Sequence, residues 1–366
     1  MTEVYQYAQR QPSGSLQEQR GVSALANSRP PPSGYSAPPP PPSFPSHSNP
    51  GPRVHGNRQE NMTIYQSEPF QYELNRRYHG YLAGLYMYPN DEKEQDRLDI
   101  LHKLYLVSRR NELHRAPISV TPYSQTRILD LGTGTGIWSI DMADKYPDAE
   151  VIGTDLSPIQ PKWIPRNLQV RICDFESTWT LGQNSFDLIH MRNGVGSVSS
   201  WPNLYRNVFN HLKPGYGWFE QVEIDYEPRC DDGTMSSNPN ISPLVKWYQY
   251  LADATERSGK PLRYQHKTGK MLADAGFTDI REVIIQVPYS PWSSDPHLKK
   301  IGSWYTLAMS EGLESLCIAP FNRIYGWDLE QITGFLGPVK KEMLSKKVHA
   351  YNNMCDSRHI WIARRP

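Results

Sequence analysis

The chain has 366 residues, with 39 basic and 38 acidic side chains and a formal net charge of +1. That balance gives no electrostatic footprint for DNA or RNA, so direct nucleic-acid binding is not expected. Four cysteines (Cys173, Cys230, Cys317 and Cys355) stand far apart without a C-x-x-C pair, which reads as reduced thiols in an intracellular protein. No metal site is expected.

The opening "MTEVYQYAQRQPSG" has no basic region followed by an apolar stretch, so no secretory signal is expected. No apolar run approaches the ~20 residues of a membrane span. Residues 1–60 are dominated by "SRPPPSGYSAPPPPPSFPSHSNPGP", which cannot bury enough apolar surface to offset its ordering entropy and reads as a disordered tail. Proline runs can dock into aromatic grooves, but a solvated tail without a dedicated partner is the favoured reading.

An N-terminal helical cap is expected over residues 61–115. From Glu92 onward, Leu98, Leu101, Leu104, Tyr105 and Val107 recur at helical spacing with charges between them, and "PND" supplies a stop and an N-cap. Tyrosines 72, 78, 81, 86 and 88 precede the helix and either line a pocket or pack against the main domain.

Residues 116–366 alternate between strands and helices. "RILDL" reads as a strand, "IWSIDMADKY" as a helix, and "EVIGTDL", "LQVRICDF" and "FDLIHMR" as three more strands. "WPNLYRNVFNHLKPG" is a helix closed by Pro-Gly, followed by the strand "GWFEQVEI". "HKTGKMLADAGF" is a helix, "DIREVIIQVP" a strand and "RHIWIARR" the last strand. The succession implies an α/β fold, a mostly parallel sheet with helices on both faces. The stretch 289–351 is too long for a loop and reads as a helical insertion before the last strand.

The stretch "ILDLGTGTGIW" ends a strand in glycines at 132, 134 and 136. A dinucleotide fingerprint requires G-x-G-x-x-G or A, yet Ile137 occupies the third position. Asp130 just before the turn is awkward for a pyrophosphate and suits a cationic cofactor. S-adenosylmethionine carries an ammonium, a sulfonium and no phosphate, and is favoured over a nicotinamide. Asp155, about twenty residues on, can accept ribose hydroxyls in either cofactor. Asp174 can accept the adenine amino group, with Phe175 close enough to stack. Carboxylates at three successive strand ends make S-adenosylmethionine the expected cofactor.

The fourth strand leads into His190, Met191, Arg192 and Asn193, not the Asn- or Asp-Pro-Pro-aromatic motif of nucleic-acid amine methylation. Transfer from a sulfonium is governed by positioning, and a strongly nucleophilic acceptor needs no base. No catalytic dyad is evident. His190, Arg192, Asn193 and Glu220 are acceptor-side candidates, although a satisfied near-core histidine is the favoured reading of His190 and a loop-holding role fits Glu220 at least as well.

Several stretches resemble the LaeA-type methyltransferases of filamentous fungi: "PNDEKEQDRLDILHKLY", "ILDLGTGTGIWSIDMADKYPDAEVIGTDLSPIQP", "CDFEST", "GSVSSWPNLYRNVF", "WFEQVEIDYEPRCDD" and "HAYNN". The resemblance runs from about residue 70 to the end. It implies a class I S-adenosylmethionine-dependent methyltransferase with a Rossmann-like seven-stranded sheet. It also implies a nuclear or nucleocytoplasmic regulator of secondary metabolism, sporulation and development that associates with velvet-domain proteins. Carried over to this chain, the cofactor motif comprises Asp130, Gly132, Thr133, Gly134, Gly136, Asp155, Leu156, Asp174 and Phe175. The chain departs from the family pattern at Thr133 and at residues 192, 193 and 195, so a LaeA orthologue and a LaeA-like paralogue both stay open. Three readings stay open: a methyltransferase with a protein acceptor, a small-molecule methyltransferase, and a cofactor-binding scaffold. Lysines 340, 341, 346 and 347 form a basic cluster that reads as a solvated helix face before an import signal.

Overall fold

The computed structural model describes residues 70–354 and 360–366. The expected disordered tail and Cys355 lie outside the described residues. The first described elements are strands: β1 (Phe70–Glu73) and β2 (Arg76–His79) pair antiparallel, turning through Leu74 and Asn75, both at positive φ. The cap expected to be helical is therefore, where described, a hairpin followed by a helix. The two are joined by Arg76, whose Nε donates 2.6 Å to Asp91 Oδ2. Asp91 is the N-cap of α1 (Glu92–Ser108), accepting from Glu94 N at 3.1 Å. Leu101, Leu104 and Tyr105 form its buried face.

The α/β series follows as β3 (Arg127–Leu131), α2 (Ile137–Lys145), β4 (Glu150–Asp155), β5 (Leu168–Ile172), β6 (Leu188–Arg192), α3 (Trp201–His211) and β7 (Trp218–Val222). Next come β8 (Ile224–Arg229), α4 (Pro243–Arg257), α5 (Thr268–Asp274), β9 (Thr278–Arg281) and β10 (Ile285–Pro288). The remainder is α6 (Pro296–Tyr325), α7 (Leu329–Met343), β11 (Tyr351–Met354) and β12 (Ile360–Arg364).

Seven strands form one sheet in the order β5-β4-β3-β6-β7-β12-β9. β5 through β7 are parallel, and β12 runs antiparallel to both β7 and β9. The centre is apolar on both faces (Ile128, Leu129, Val151, Ile152, Leu188 and Ile189 are all buried), as a parallel sheet under helices requires. Truncating one of these to alanine costs about 2–5 kcal/mol. The chain leaves β3 toward β4 and β5, then returns to β6 and β7 on the other side. That reversal puts the crevice for a ligand at the carboxyl ends of β3 and β6.

"DIREVIIQVP" is not one strand. β9 closes the edge of the large sheet, whereas β10 pairs with β11, and β11 with β8, in a second antiparallel sheet. The break lets Val287 reach full burial in that second sheet. Between β10 and β11 stand α6 and α7. α6 lies against α1 where Gly312 meets Arg97: a Cβ there would come 3.0 Å from Arg97 Cδ.

Candidate functional site

Beyond Leu131 the chain turns through Gly132, Gly134 and Gly136 at φ of 69°, 58° and 81°. A side chain in that left-handed region costs about 1–2 kcal/mol, so the turn selects glycine. A Cβ on Gly132 would face Phe175 Cε1 at 3.6 Å, and one on Gly134 would face Leu98 Cδ1 at 3.4 Å. The bare backbone thus borders the space between the third strand end and α1. The loop is fixed from β4: Thr133 N donates 2.8 Å to Thr154 O, and Gly134 N donates 2.7 Å to Asp155 Oδ2. Gln160 Nε2 donates to Gly134 O at 2.6 Å.

Gly132, Gly134, Asp155, Leu156, Asp174 and Phe175 all line one cavity. Ser157 and Ile159 extend the same wall. Burial pushes the Asp155 carboxyl up to about 6, against the pull of its backbone hydrogen bonds from Gly134 and Ser157. Asp174 accepts from Glu176 N at 2.8 Å through one oxygen. The opposite wall comes from the cap (Tyr86, Pro89, Asn90, Glu94 and Leu98) and from the end of β6. Asn90 Nδ2 donates 3.0 Å to Ser157 Oγ, and Thr135 Oγ1 donates 2.7 Å to Asp99 Oδ1. α1 and its lead-in are therefore stitched across the cavity.

Two expected cofactor residues, Asp130 and Gly136, sit behind this wall, and Thr133 borders the adjoining space beside Arg192. Asp130 is buried at 3% exposure; His190 Nδ1 lies 2.8 Å from its Oδ1, and Ser139 Oγ donates to its Oδ2 at 2.9 Å. Burial raises its pKa, but the His190 hydrogen bond and nearby charge hold it below the usual carboxylate range. Asp130 is not among the residues lining the cavity, and its two oxygens face His190 and Ser139, so it does not grip a methionyl ammonium there. It fastens β3 to β6 and α2. Thr133 shares a 2.9 Å hydrogen bond with Ser139, and Gly136 is the N-cap of α2.

Two acceptor-side candidates are also withdrawn. The His190 ring lies on Trp138, centroids 3.6 Å apart and planes within 5°, fully buried. Burial depresses its pKa despite Asp130, so it is a neutral ring in the core. Glu220 is equally buried. It pairs with Arg109 Nη2 at 2.5 Å and accepts from Arg115 N and Ala116 N at 2.7 and 2.8 Å. Burial opposes its ionisation, but the Arg109 charge prevails and holds it at about 2. Glu220 anchors the loop after α1 and does not face the cavity.

Arg192 and Asn193 do line the cavity, with Met191 and Gly194. Asn193 takes positive φ and accepts from the Tyr105 hydroxyl, so β6 ends against α1. The next turn rests on Glu223, which accepts from Gly194 N and Val195 N at 3.0 and 3.1 Å and which burial pushes up to about 7. Lys260, which no sequence motif flags, completes the rim: its Nζ donates to Glu176 Oε2 at 2.8 Å and to Ser197 O at 2.6 Å.

A mostly parallel seven-stranded sheet with a glycine-turn cavity at its switch point defines a class I S-adenosylmethionine-dependent methyltransferase. Its cofactor is S-adenosylmethionine, and the cavity suits it: side-chain-free backbone, a buried carboxylate with acceptor capacity, and the apolar walls Leu156, Ile159 and Phe175. A family model described as "Methyltransferase domain" matches residues 92–282. The chain belongs to the LaeA-type family of secondary metabolism regulators. It is 55% identical over 296 residues to the secondary metabolism regulator LAE1 of Cochliobolus heterostrophus, covering 80% of this chain and 94% of that one. It is 48% identical to the secondary metabolism regulator laeA of Aspergillus flavus, covering 82% and 79%. To the protein-methionine methyltransferase laeA of Emericella nidulans it is 48% identical, covering 81% and 77%.

Proposed function

We propose that this chain transfers the methyl group of S-adenosylmethionine to a protein side chain, as a nuclear or nucleocytoplasmic regulator of secondary metabolism and development working with velvet-domain partners. Gly132, Gly134, Asp155, Leu156, Asp174 and Phe175 are assigned to the cofactor: the glycines to the methionyl portion, Asp155 to the ribose, and Asp174 with Phe175 to the adenine. Gly136 holds the turn in shape from behind, and Thr133 borders the adjoining space beside Arg192.

The observation that supports this reading is that two acceptor-side candidates, His190 and Glu220, lie outside the cavity. His190 is neutral and stacked in the core, and Glu220 is tied to Arg109. An acceptor that is nucleophilic without losing a proton fits a cavity that neither of them reaches. A thioether is such an acceptor, and the name of the Emericella nidulans relative, a protein-methionine methyltransferase, supports a methionine side chain. The velvet partnership and the nuclear location rest on the family resemblance.

Incubation with methyl-labelled cofactor tests this reading. Mass spectrometry should find label on a methionine of a co-purified velvet-domain protein or of the chain itself. Label confined to the small-molecule fraction of a cell extract would establish the small-molecule reading instead.

A further inference from the structure

Arg192 is a half-buried cation in the cavity wall, and among the described residues no carboxylate pairs with it. It leaves the carboxyl end of β6 with Nη1 3.1 Å from His102 Nδ1 and its guanidinium carbon 5.0 Å from the Tyr105 ring centroid. His102 is spoken for on its other side, Nε2 lying 2.9 Å from Asp141 Oδ2. Burial lowers its pKa, so it meets Arg192 as a neutral acceptor. Among the described residues Arg192 has no ion-pair partner. The buried arginines of the cap are unlike it: Arg76 pairs with Asp91, Arg97 with Glu94 and Arg109 with Glu220. Asp130 and Asp141 act on Arg192 through space, but neither touches it: Asp130 faces His190 and Ser139, and Asp141 faces His102.

A half-buried guanidinium with spare donors in a cavity wall suits a carboxylate or a phosphate. Arg192 borders the space shared with Gly132, Gly134 and Asn193, where the glycine turn meets α1. The phosphate-free cofactor of this fold carries one anionic group, the α-carboxylate of its methionyl tail. We propose that Arg192 binds that carboxylate. The inference rests on S-adenosylmethionine being the cofactor. It reverses the polarity of the expected grip: the methionyl tail is held by its negative end at β6, not by its positive end at Asp130. It also removes Arg192 from the acceptor side.

Titration calorimetry with S-adenosylmethionine and three further probes tests the assignment. S-adenosylhomocysteine carries the α-carboxylate, decarboxylated S-adenosylmethionine lacks only that group, and 5′-methylthioadenosine lacks the amino-acid end. Arg192→Gln should weaken S-adenosylhomocysteine about 10- to 100-fold, the range for a charge-assisted contact, and leave 5′-methylthioadenosine unchanged. Arg192→Lys should keep part of the affinity. The unaltered protein should bind decarboxylated S-adenosylmethionine about 10- to 100-fold more weakly than S-adenosylmethionine, a comparison that needs no variant to fold. Equal weakening of all probes, or no preference for the carboxylate, overturns the proposal while the cofactor assignment stands. Failure of the unaltered protein to bind S-adenosylhomocysteine or S-adenosylmethionine overturns both.

Discussion

The carboxylate of Glu220 and the guanidinium of Arg109 meet 2.5 Å apart with side chains 0% and 2% exposed, and the same carboxylate receives two backbone N–H groups from the loop after α1. Removing one partner leaves a buried charge uncompensated. Glu220→Ala should therefore lose about 3–5 kcal/mol of unfolding free energy in urea melts. The folded fraction should keep its affinity for S-adenosylmethionine, because Glu220 does not border the cavity. A large loss of affinity without a loss of stability would return Glu220 to the site.

The same pair sets an acid limit. Glu220 titrates at about 2 in the folded chain, against about 4.3 when unfolded. Its contribution is present in full above the unfolded value and disappears as pH falls through the folded one. Some 2 units correspond to about 3 kcal/mol, so the gap in stability between the parent chain and Glu220→Gln should narrow by about that amount between pH 5 and pH 2.

Asp155 behaves in the opposite sense. Burial raises it to about 6, so in the free protein it is partly protonated in mildly acidic buffer. Ribose hydroxyls donating to it favour the carboxylate, and binding then releases a proton. Affinity for S-adenosylmethionine should be level above pH 7 and fall by up to tenfold per unit below about 6. Asp155→Asn should bind more weakly at pH 7.5 and lose this acid dependence in calorimetric titrations.

The cap crosses the cavity through Asn90 and Ser157. A net hydrogen bond of about 0.5–1.5 kcal/mol holds that end down, so Asn90→Ala should speed cofactor release about 2- to 10-fold in stopped-flow displacement. Melting temperature should move by only a few degrees. An unchanged release rate would show that the cap does not gate the cofactor.

What could be read from the sequence divides by range. Gly132, Gly134, Asp155, Asp174 and Phe175 lie at strand ends a few residues from their turns, so spacing alone places them on one edge of the sheet. Asp130 has the same local signature, but its partner His190 stands 60 residues away on a neighbouring strand. No local pattern announces that the carboxylate is already taken. Lys260 reaches the rim from a loop beyond α4, 84 residues from Glu176, and nothing around it forms a motif. The second sheet was illegible for a related reason. β8, β10 and β11 are short, and each finds its partner only through pairing across intervening helices. α4, by contrast, has a serine cap and an apolar face of Leu244, Trp247, Tyr248 and Leu251, a signal that helical spacing could have found.

The placement of β12 bears on biosynthesis. It follows every other strand of the large sheet in the chain, yet it lies between β7 and β9. While the nascent polypeptide emerges, β7 therefore offers a bare edge to solvent and β9 has no neighbour at all, and unpaired edges invite mispairing with other chains. Recombinant preparations should then be most vulnerable to aggregation during translation, before the final segment threads into its slot.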